Sequence, residues 1–490
     1  MHVYGGNEME SNDDRKYTFP VGQVKQQFLS PFLLKEGKIE SLVSALLADD
    51  FIFFDISDEA QEDKYYGETR IFHHSLETYF MPNIEPTLFP QSVHDKKSIR
   101  RFSKELNQAY NFKSKHLELD FIMESIDVYI CPFHIGLINI RISLPIGLTN
   151  NDVATFGDLF SFLVPNSDYR KDIQITCEHE QFEQVKDLIF KKLLQRYNRY
   201  IDGNHAEMKS YFGSLPFYKD ERMYVISYMQ HEKADALSEL DVYRTSQLNG
   251  YQVDGSAYIG ASNPDYIKRF CQKHVYDRWG VNTYYAVTDY HFVCLTNEEG
   301  PQSKELVRQM YGEHFYTLLL IFYFKLVLLK LSHDYSKTEF EKDHKEVELL
   351  TMMINEFSSR YFLPELNSKQ TGKEMAGLMQ SIFEIEKLHD KVTQTLTTLF
   401  QDQEKLESKK VNSLLQILTI FTVISGIYGM NLVIEDLGGN IDWSKFASFS
   451  VFEWLTVIVT ATGIILSAVM CFFFIKRWFD ERKDKSRKLY

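Results

Sequence analysis

The chemically distinctive residues of this chain lie near its C-terminal end, in the run Tyr428-Gly429-Met430-Asn431. An uncharged apolar stretch, residues 411–428, comes directly before Gly429 and carries several hydroxyl and amide groups. Amide and hydroxyl oxygens suit a hydrated Mg²⁺ ion, because this ion gives up its waters reluctantly. We therefore expect Asn431 to meet a hydrated divalent cation rather than to hold a bare metal ion.

A stripe of small, hydroxyl-bearing and apolar residues recurs at helical spacing before the tetrapeptide. Its members are Gly426, Thr422, Thr419, Leu415, Val411 and Ser408. Polar groups within an apolar helix usually face a cavity or a partner helix rather than lipid. A Thr or Ser can also bond its own backbone, so a single hydroxyl carries little weight.

Two apolar runs, residues 411–428 and 451–475, are each long enough to cross a bilayer core of about 30 Å. A buried helix of a soluble protein is the alternative for either run, but two neighbouring runs of this length, uncharged apart from Glu453, favour a membrane hairpin. Basic residues precede the first run and fill the tail, residues 476–490. The positive-inside rule then predicts a multi-pass protein of the inner (cytoplasmic) membrane with both termini in the cytoplasm.

The predicted outer loop, residues 431–450, is acidic and contains Glu435, Asp436 and Asp442. A hairpin whose first helix ends in Tyr-Gly-Met-Asn, with a short acidic loop and a basic tail, resembles the CorA family of divalent cation channels. That family often continues with Met-Pro-Glu, whereas this chain continues Leu-Val-Ile-Glu. The departure bears on whether the loop captures ions.

The resemblance implies a homopentamer in the lipid bilayer, with Mg²⁺ as the transported ion. The first helix would line the pore with the stripe described above, and Asn431 would ring its mouth. Apolar side chains of Val411 and Leu415 could then form a constriction that gates by dewetting.

Length and charge limit the other function classes. The chain has 490 residues and a formal net charge of −14, which argues against direct DNA or RNA binding, since nucleic-acid binders normally carry a basic face. Its five cysteines are scattered, and no glycine-rich phosphate loop is present. The adjacent His73 and His74 point in different directions and predict a solvated pair rather than a metal site. We therefore expect no enzymatic activity.

Hydrophobic periodicity predicts an α+β protein with a large mixed α/β cytoplasmic part. The expected segments are a disordered N-terminus (1–16), an α/β sensor domain (17–300), a cytoplasmic helical pair (301–366), a stalk helix that continues into the first span (367–430), the outer loop (431–450), the second span (451–475) and the tail (476–490).

Several elements of the soluble part are specific enough to be checked. Residues Val24–Leu47 predict a helical stretch, and Ile126–Ile130 with Gly136–Leu144 predict paired strands with one core face and one polar face. Phe315–Leu331 mimics a third span, but its lysines favour a packing helix. No proline interrupts the chain between Gly372 and Gly426, which predicts one unbroken helix.

A second function remains open because the part before the membrane is larger than a transporter of this family needs. The segment Phe357–Lys373 is similar to a branch of CorA-like proteins that accompanies type III CRISPR systems and is thought to respond to nucleotide second messengers. That resemblance implies a ligand-gated membrane effector of antiviral defence. The run Gly250–Gly260 could cradle a small ligand, although a hairpin turn is the favoured interpretation.

Overall fold

The computed structural model describes residues 17–165, 172–203, 215–219, 221–233, 236–337, 344–432 and part of 450–472. The predictions for residues 1–16, for the outer-loop acids Glu435, Asp436 and Asp442, and for the tail fall outside the described residues. The chain divides into two compact units, residues 1–336 with 354–392, and residues 337–353 with 393–490. The fold is of mixed α/β type.

The first unit is built on one sheet of eleven strands. The strands are β1 Val21–Leu33, β2 Ile52–Phe53, β3 Arg100–Lys113, β4 Glu118–Ile130, β5 Ile135–Ser143, β6 Gln174–Cys177, β7 Glu180–Phe182, β8 Tyr224–His231, β9 Val275–Tyr276, β10 Tyr284–Val287 and β11 His291–Thr296. Their order is β7-β6-β3-β4-β5-β1-β8-β11-β10-β9, with β2 also paired to β3. The β8–β11 pair is parallel, and the other pairs are antiparallel.

Twelve α-helices complete the described part of the chain. They are α1 Ile39–Leu47, α2 His73–Tyr79, α3 Glu85–Leu88, α4 Asn150–Ser161, α5 Val185–Asp187, α6 Glu239–Ser246, α7 Pro264–His274, α8 Gly300–Tyr311, α9 Glu313–Lys337, α10 His344–Arg360, α11 Gln370–Ile382 and α12 Ile385–Leu432. A π-helical turn, Leu188–Leu193, and a 3-10 turn, Gln195–Tyr200, follow α5.

One face of the sheet is covered by aromatic packing against α4. Thr149 caps this helix, because its hydroxyl accepts from the Asp152 backbone N–H while the Asp152 carboxylate accepts from the Thr149 N–H. Phe156 and Phe160 then pack on Phe28 of β1, with ring centroids 6.2 and 4.7 Å away. The predicted strand pair is confirmed as β4–β5, and its isoleucines belong to this apolar core.

The other face of the sheet is polar, as the alternation in β5 predicts, and it is buried. Asp127 of β4 lies between two arginines, with its carboxylate oxygens 2.6 Å from Arg141 and 3.2 Å from Arg101. Burial alone would raise the pKa of Asp127, but the two guanidinium groups lower it to about 2. This layer therefore stays ionised although it is closed off from solvent.

Helix α9 closes this polar face. Tyr316 of α9 accepts a hydrogen bond from Arg101 at 2.7 Å, and Phe315 lies 5.7 Å from the Arg141 guanidinium. Among the described residues, one helical segment, Gly300–Lys337, has the length and composition of a membrane span, and most of its apolar window is buried in the protein. The packing role predicted for Phe315–Leu331 agrees with this burial.

Two predictions about helices are wrong. Residues 24–33 form the central strand β1 rather than a helix, and only Ile39–Leu47 of the predicted stretch is helical. Lys25 and Gln27 of β1 face the polar layer, whereas Phe28 and Phe32 face the apolar one. The helix predicted from Gly372 is interrupted after Ile382, where Glu384 adopts a left-handed conformation with φ of 53°. Helix α12 starts afresh at Ile385 and runs past Gly426 to Leu432.

Glu313 starts α9 and is held in a largely buried position, with 14% of its side chain exposed. Burial raises the pKa of this carboxyl to about 7, although Lys369, 3.9 Å away, opposes the shift. A carboxyl with a raised pKa favours its neutral form in the folded state. Folding stability is therefore lost as the pH rises from about 4.5, the unfolded value, through about 7.

Asp127→Asn should destabilise the first unit by about 3–5 kcal/mol, because it leaves two buried arginines without a counter-charge. Asp120→Asn is the matched control, because Asp120 is exposed near the start of the same strand. This change should lower the free energy of unfolding by less than about 1 kcal/mol. Urea unfolding followed by circular dichroism measures both. An equal, small loss in the two variants would contradict a stabilising role for the Asp127 carboxylate.

Glu313→Gln should stabilise the protein relative to the parent, and this gain should be about 2 kcal/mol larger at pH 8 than at pH 5. The reason is that the variant has no buried carboxyl to ionise as the pH rises. The exposed Glu299→Gln serves as control and should show no such pH dependence. The measurement is the free energy of unfolding of each variant and of the parent protein at both pH values. A pH-independent difference for Glu313→Gln would show that this carboxyl titrates normally.

Candidate functional site

The predicted stripe lies along one side of α12, a single helix of 48 residues. At 100° per residue, its six members fall within an arc of about 80°. They are Ser408, Val411, Leu415, Thr419, Thr422 and Gly426, and each is exposed in the single chain. The structure therefore places these residues together on one helix face.

Both threonines of the stripe bond to their own helix. The Thr419 hydroxyl donates to the Leu415 carbonyl at 2.7 Å, and the Thr422 hydroxyl donates to the Leu418 carbonyl at 2.8 Å. This is the local bonding that makes a single Thr weak evidence for a pore. It also directs each hydroxyl proton to the backbone, so the oxygen lone pairs remain to accept from water or to face a cation.

Apolar side chains stand on the remaining sides of the same helical segment. Leu414, Ile417, Leu418, Ile420 and Val423 are 43–59% exposed in the single chain and point in all directions around the axis. Asn412, Ser413 and Gln416 are the polar residues on these sides. The segment therefore exposes a largely apolar surface outside the stripe.

The tetrapeptide Tyr428-Gly429-Met430-Asn431 lies in the last turn of α12. A regular helix places position 431 about half a turn from Thr422. The backbone thus puts Asn431 at the end of the helix, but off the line of the stripe.

A separate cavity of about 860 Å³, here called cavity A, opens in the first unit. Its walls carry the cations Lys219, Arg222 and Lys325 beside the rings of Tyr224 and Tyr290. Two acids, Glu221 and Asp289, also line it. Cations next to aromatic rings suit a ligand that has both a planar group and a negative charge.

Arg222 and Tyr290 stand between cavity A and a second cavity of about 620 Å³, cavity B. The Arg222 guanidinium lies 4.0 Å from the Tyr290 ring centroid and donates to Asp158 at 3.1 Å. Burial raises the pKa of Tyr290 to about 12, although Arg222 opposes the shift. The Tyr290 hydroxyl therefore stays protonated and donates to Gln247.

The glycine-bearing run Gly250–Gly260 lines cavity B, and the hairpin prediction for it is confirmed. Tyr251 pairs with Ala257, and the Gln252 N–H donates to the Ser256 carbonyl at 2.8 Å. Gly250 packs tightly on α4, because a Cβ there would lie 2.6 Å from the Thr155 nitrogen. The run is thus a hairpin that also forms a cavity wall.

The two adjacent histidines do point apart, as predicted, but the prediction of a solvated pair is wrong for His73, which packs against Phe54. His73 is buried, and its Nδ1 is hydrogen-bonded to the Ile56 carbonyl at 2.7 Å, whereas His74 is exposed. Among the described residues, no group of three or more His, Cys, Asp or Glu side chains is arranged to hold a metal ion.

Sequence reasoning missed cavity A. Arg222 stands just before a strand, while Tyr290 and Lys325 are distant from it in the chain, so no spacing pattern links them. The one signal was Lys325, one of the two lysines in the apolar run Phe315–Leu331. Comparisons with family models, with curated proteins and with solved structures find no match for this chain.

Proposed function

We propose that this protein is a CorA-type homopentameric channel for divalent cations, with Mg²⁺ as the principal ion. The observation that carries the proposal is α12, in which a stripe of hydroxyl-bearing, small and apolar residues runs along an exposed helix whose other sides are mainly apolar. One helix cannot enclose a pore, so several copies must turn their stripes toward a shared axis. Lipid would cover the remaining apolar sides.

The chemistry of the stripe suits a hydrated ion. Thr419 and Thr422 donate their protons to the backbone, which leaves oxygen acceptors for the waters of a magnesium ion. Rings of Val411 and Leu415 nearer the cytoplasm would interrupt the water column at rest. Residues 451–475 would form the second span, which gives an inner-membrane protein with both termini in the cytoplasm.

A ligand-gated membrane effector is the second candidate, and cavity A favours it. A constitutive transporter has no need of a cavity lined by cations and aromatic rings, whereas a gating ligand such as a nucleotide second messenger requires one. Opening in response to that ligand would disturb the ion balance of the host cell, as an antiviral effector should.

Asn431→Ala should lower Mg²⁺ flux into proteoliposomes several-fold, because a ring of five carboxamides at the mouth would lose its hydrogen bonds to the hydrated ion. The prediction requires the last turn of α12 to be wound differently in the assembly, since a regular helix turns position 431 away from the stripe. Native mass measurement in detergent is the control and should give five chains for both proteins. Unchanged flux with an intact pentamer would remove Asn431 from the filter.

Leu415→Ser should raise the basal leak of the channel, because a hydroxyl ring lets water fill the constriction. Leu414→Ser is the matched control, since the two leucines are similarly exposed on the same helix and only Leu415 belongs to the stripe. Leak current and thermal stability are measured for both variants. A destabilised Leu415→Ser protein without added leak would place the gate elsewhere.

A further inference from the structure

The wall of cavity A touches the point where α12 begins. Phe383 is buried in the break between α11 and α12, directly before Glu384 with its left-handed backbone. Its ring centroid lies 5.7 Å from that of Tyr224 and 4.7 Å from the Lys325 amine. Tyr224 and Lys325 both line cavity A, so a molecule in this cavity lies one side chain away from the break.

Lys325 is the part of this wall that an anion can recruit. Its amine lies 3.4 Å from Asp289, whose side chain is 72% exposed, and ion pairs with such a solvated partner contribute little free energy. A phosphate or carboxylate inside the cavity would compete well for this amine. Binding of such an anion to the Lys325 amine would change the contact between this amine and the Phe383 ring.

We propose that a molecule with a planar ring and an anionic group binds in cavity A and acts on the start of α12 through Lys325 and Phe383. The ring of the ligand packs beside Tyr224 and Tyr290, and its anion draws Lys325 away from Phe383. The break at Phe383–Glu384 then changes conformation, and with it the direction in which α12 starts. This inference deepens the ligand-gated proposal and rests on it for the effect on ion flux.

The experiment places a small planar anion in the cavity by covalent attachment, since the natural ligand is unidentified. Lys219→Cys is made in full-length protein that also carries Cys271→Ser and Cys471→Ser, because Cys131, Cys177 and Cys294 are buried. Dithiobis(nitrobenzoate) then leaves a nitrobenzoate ring with a carboxylate on the new thiol, and the released thiolate counts the labelled sites. Lys268→Cys, on the exposed side of α7 and outside cavity A, is the matched control.

Hydrogen exchange of residues 383–392 is the primary measurement. Labelling at position 219 should change its rate by about fivefold or more, the lower end of usual coupling between sites, and dithiothreitol should reverse the change. Labelling at position 268 should have no effect. Adding Lys325→Met to Lys219→Cys should abolish the response while leaving the count of labelled sites unchanged.

Three results would overturn the inference: a thiol at position 219 that the reagent does not reach, full labelling without altered exchange, or an equal response with Lys325→Met present. Mg²⁺ flux into proteoliposomes separates this inference from the channel proposal. Altered hydrogen exchange in a protein that conducts no divalent cation would contradict the channel proposal but support coupling between cavity A and α12. Conduction without altered hydrogen exchange would contradict only that coupling.

Discussion

The fold of the first unit depends on one buried ionic contact, the Asp127 carboxylate between Arg101 and Arg141. Three charges without solvent are costly unless each has partners, and here hydroxyl groups supply most of the rest, including a bond from Ser103 to Asp127 at 2.7 Å. The buried Arg141 Nε has no hydrogen-bond partner in the described part of the chain. Tyr316 of α9 accepts from Arg101, so the helix completes the charge layer as well as covering it. Helix α9 has the composition of a membrane span. It nevertheless packs on the sheet, and its hydrogen bond with Arg101 holds it against the polar layer.

The sequence predicts those elements in which the pattern of apolar and polar residues matches one apolar side and one polar side. The β4–β5 pair alternates strictly, and the lysines of α9 argue correctly for packing. Prediction fails where two buried layers have different chemistry: β1 sends Lys25 and Gln27 to the polar layer and its phenylalanines to the apolar one, which hides its strand pattern. It fails again at Phe383, because the interruption of the helix arises from burial of that ring against Tyr224 and Phe322 rather than from a helix-breaking residue.

The same distinction separates the two parts of the candidate site. The stripe on α12 is local, so the spacing of Thr419, Thr422 and Gly426 predicts their common face before any fold is known. Cavity A brings together Lys219, Tyr290 and Lys325 from three segments, and only the folded chain joins them. Phe383 is buried between cavity A and the start of α12, and so connects the two. No pattern in the sequence predicts this contact.

The free energy that the contact between Lys325 and Phe383 can supply limits how many chains must act together to open a channel. Moving a two-state channel from almost fully closed to almost fully open takes about 5.5 kcal/mol of differential binding. A change in one lysine–aromatic contact such as Lys325–Phe383 supplies only about 1 kcal/mol. A single chain would therefore respond weakly to its ligand, whereas five chains that opened together would supply about 5 kcal/mol, which is close to the required total. Gating through Phe383 and assembly as a pentamer thus depend on each other: if the chain proved to act alone, this contact would be too weak to open the pore.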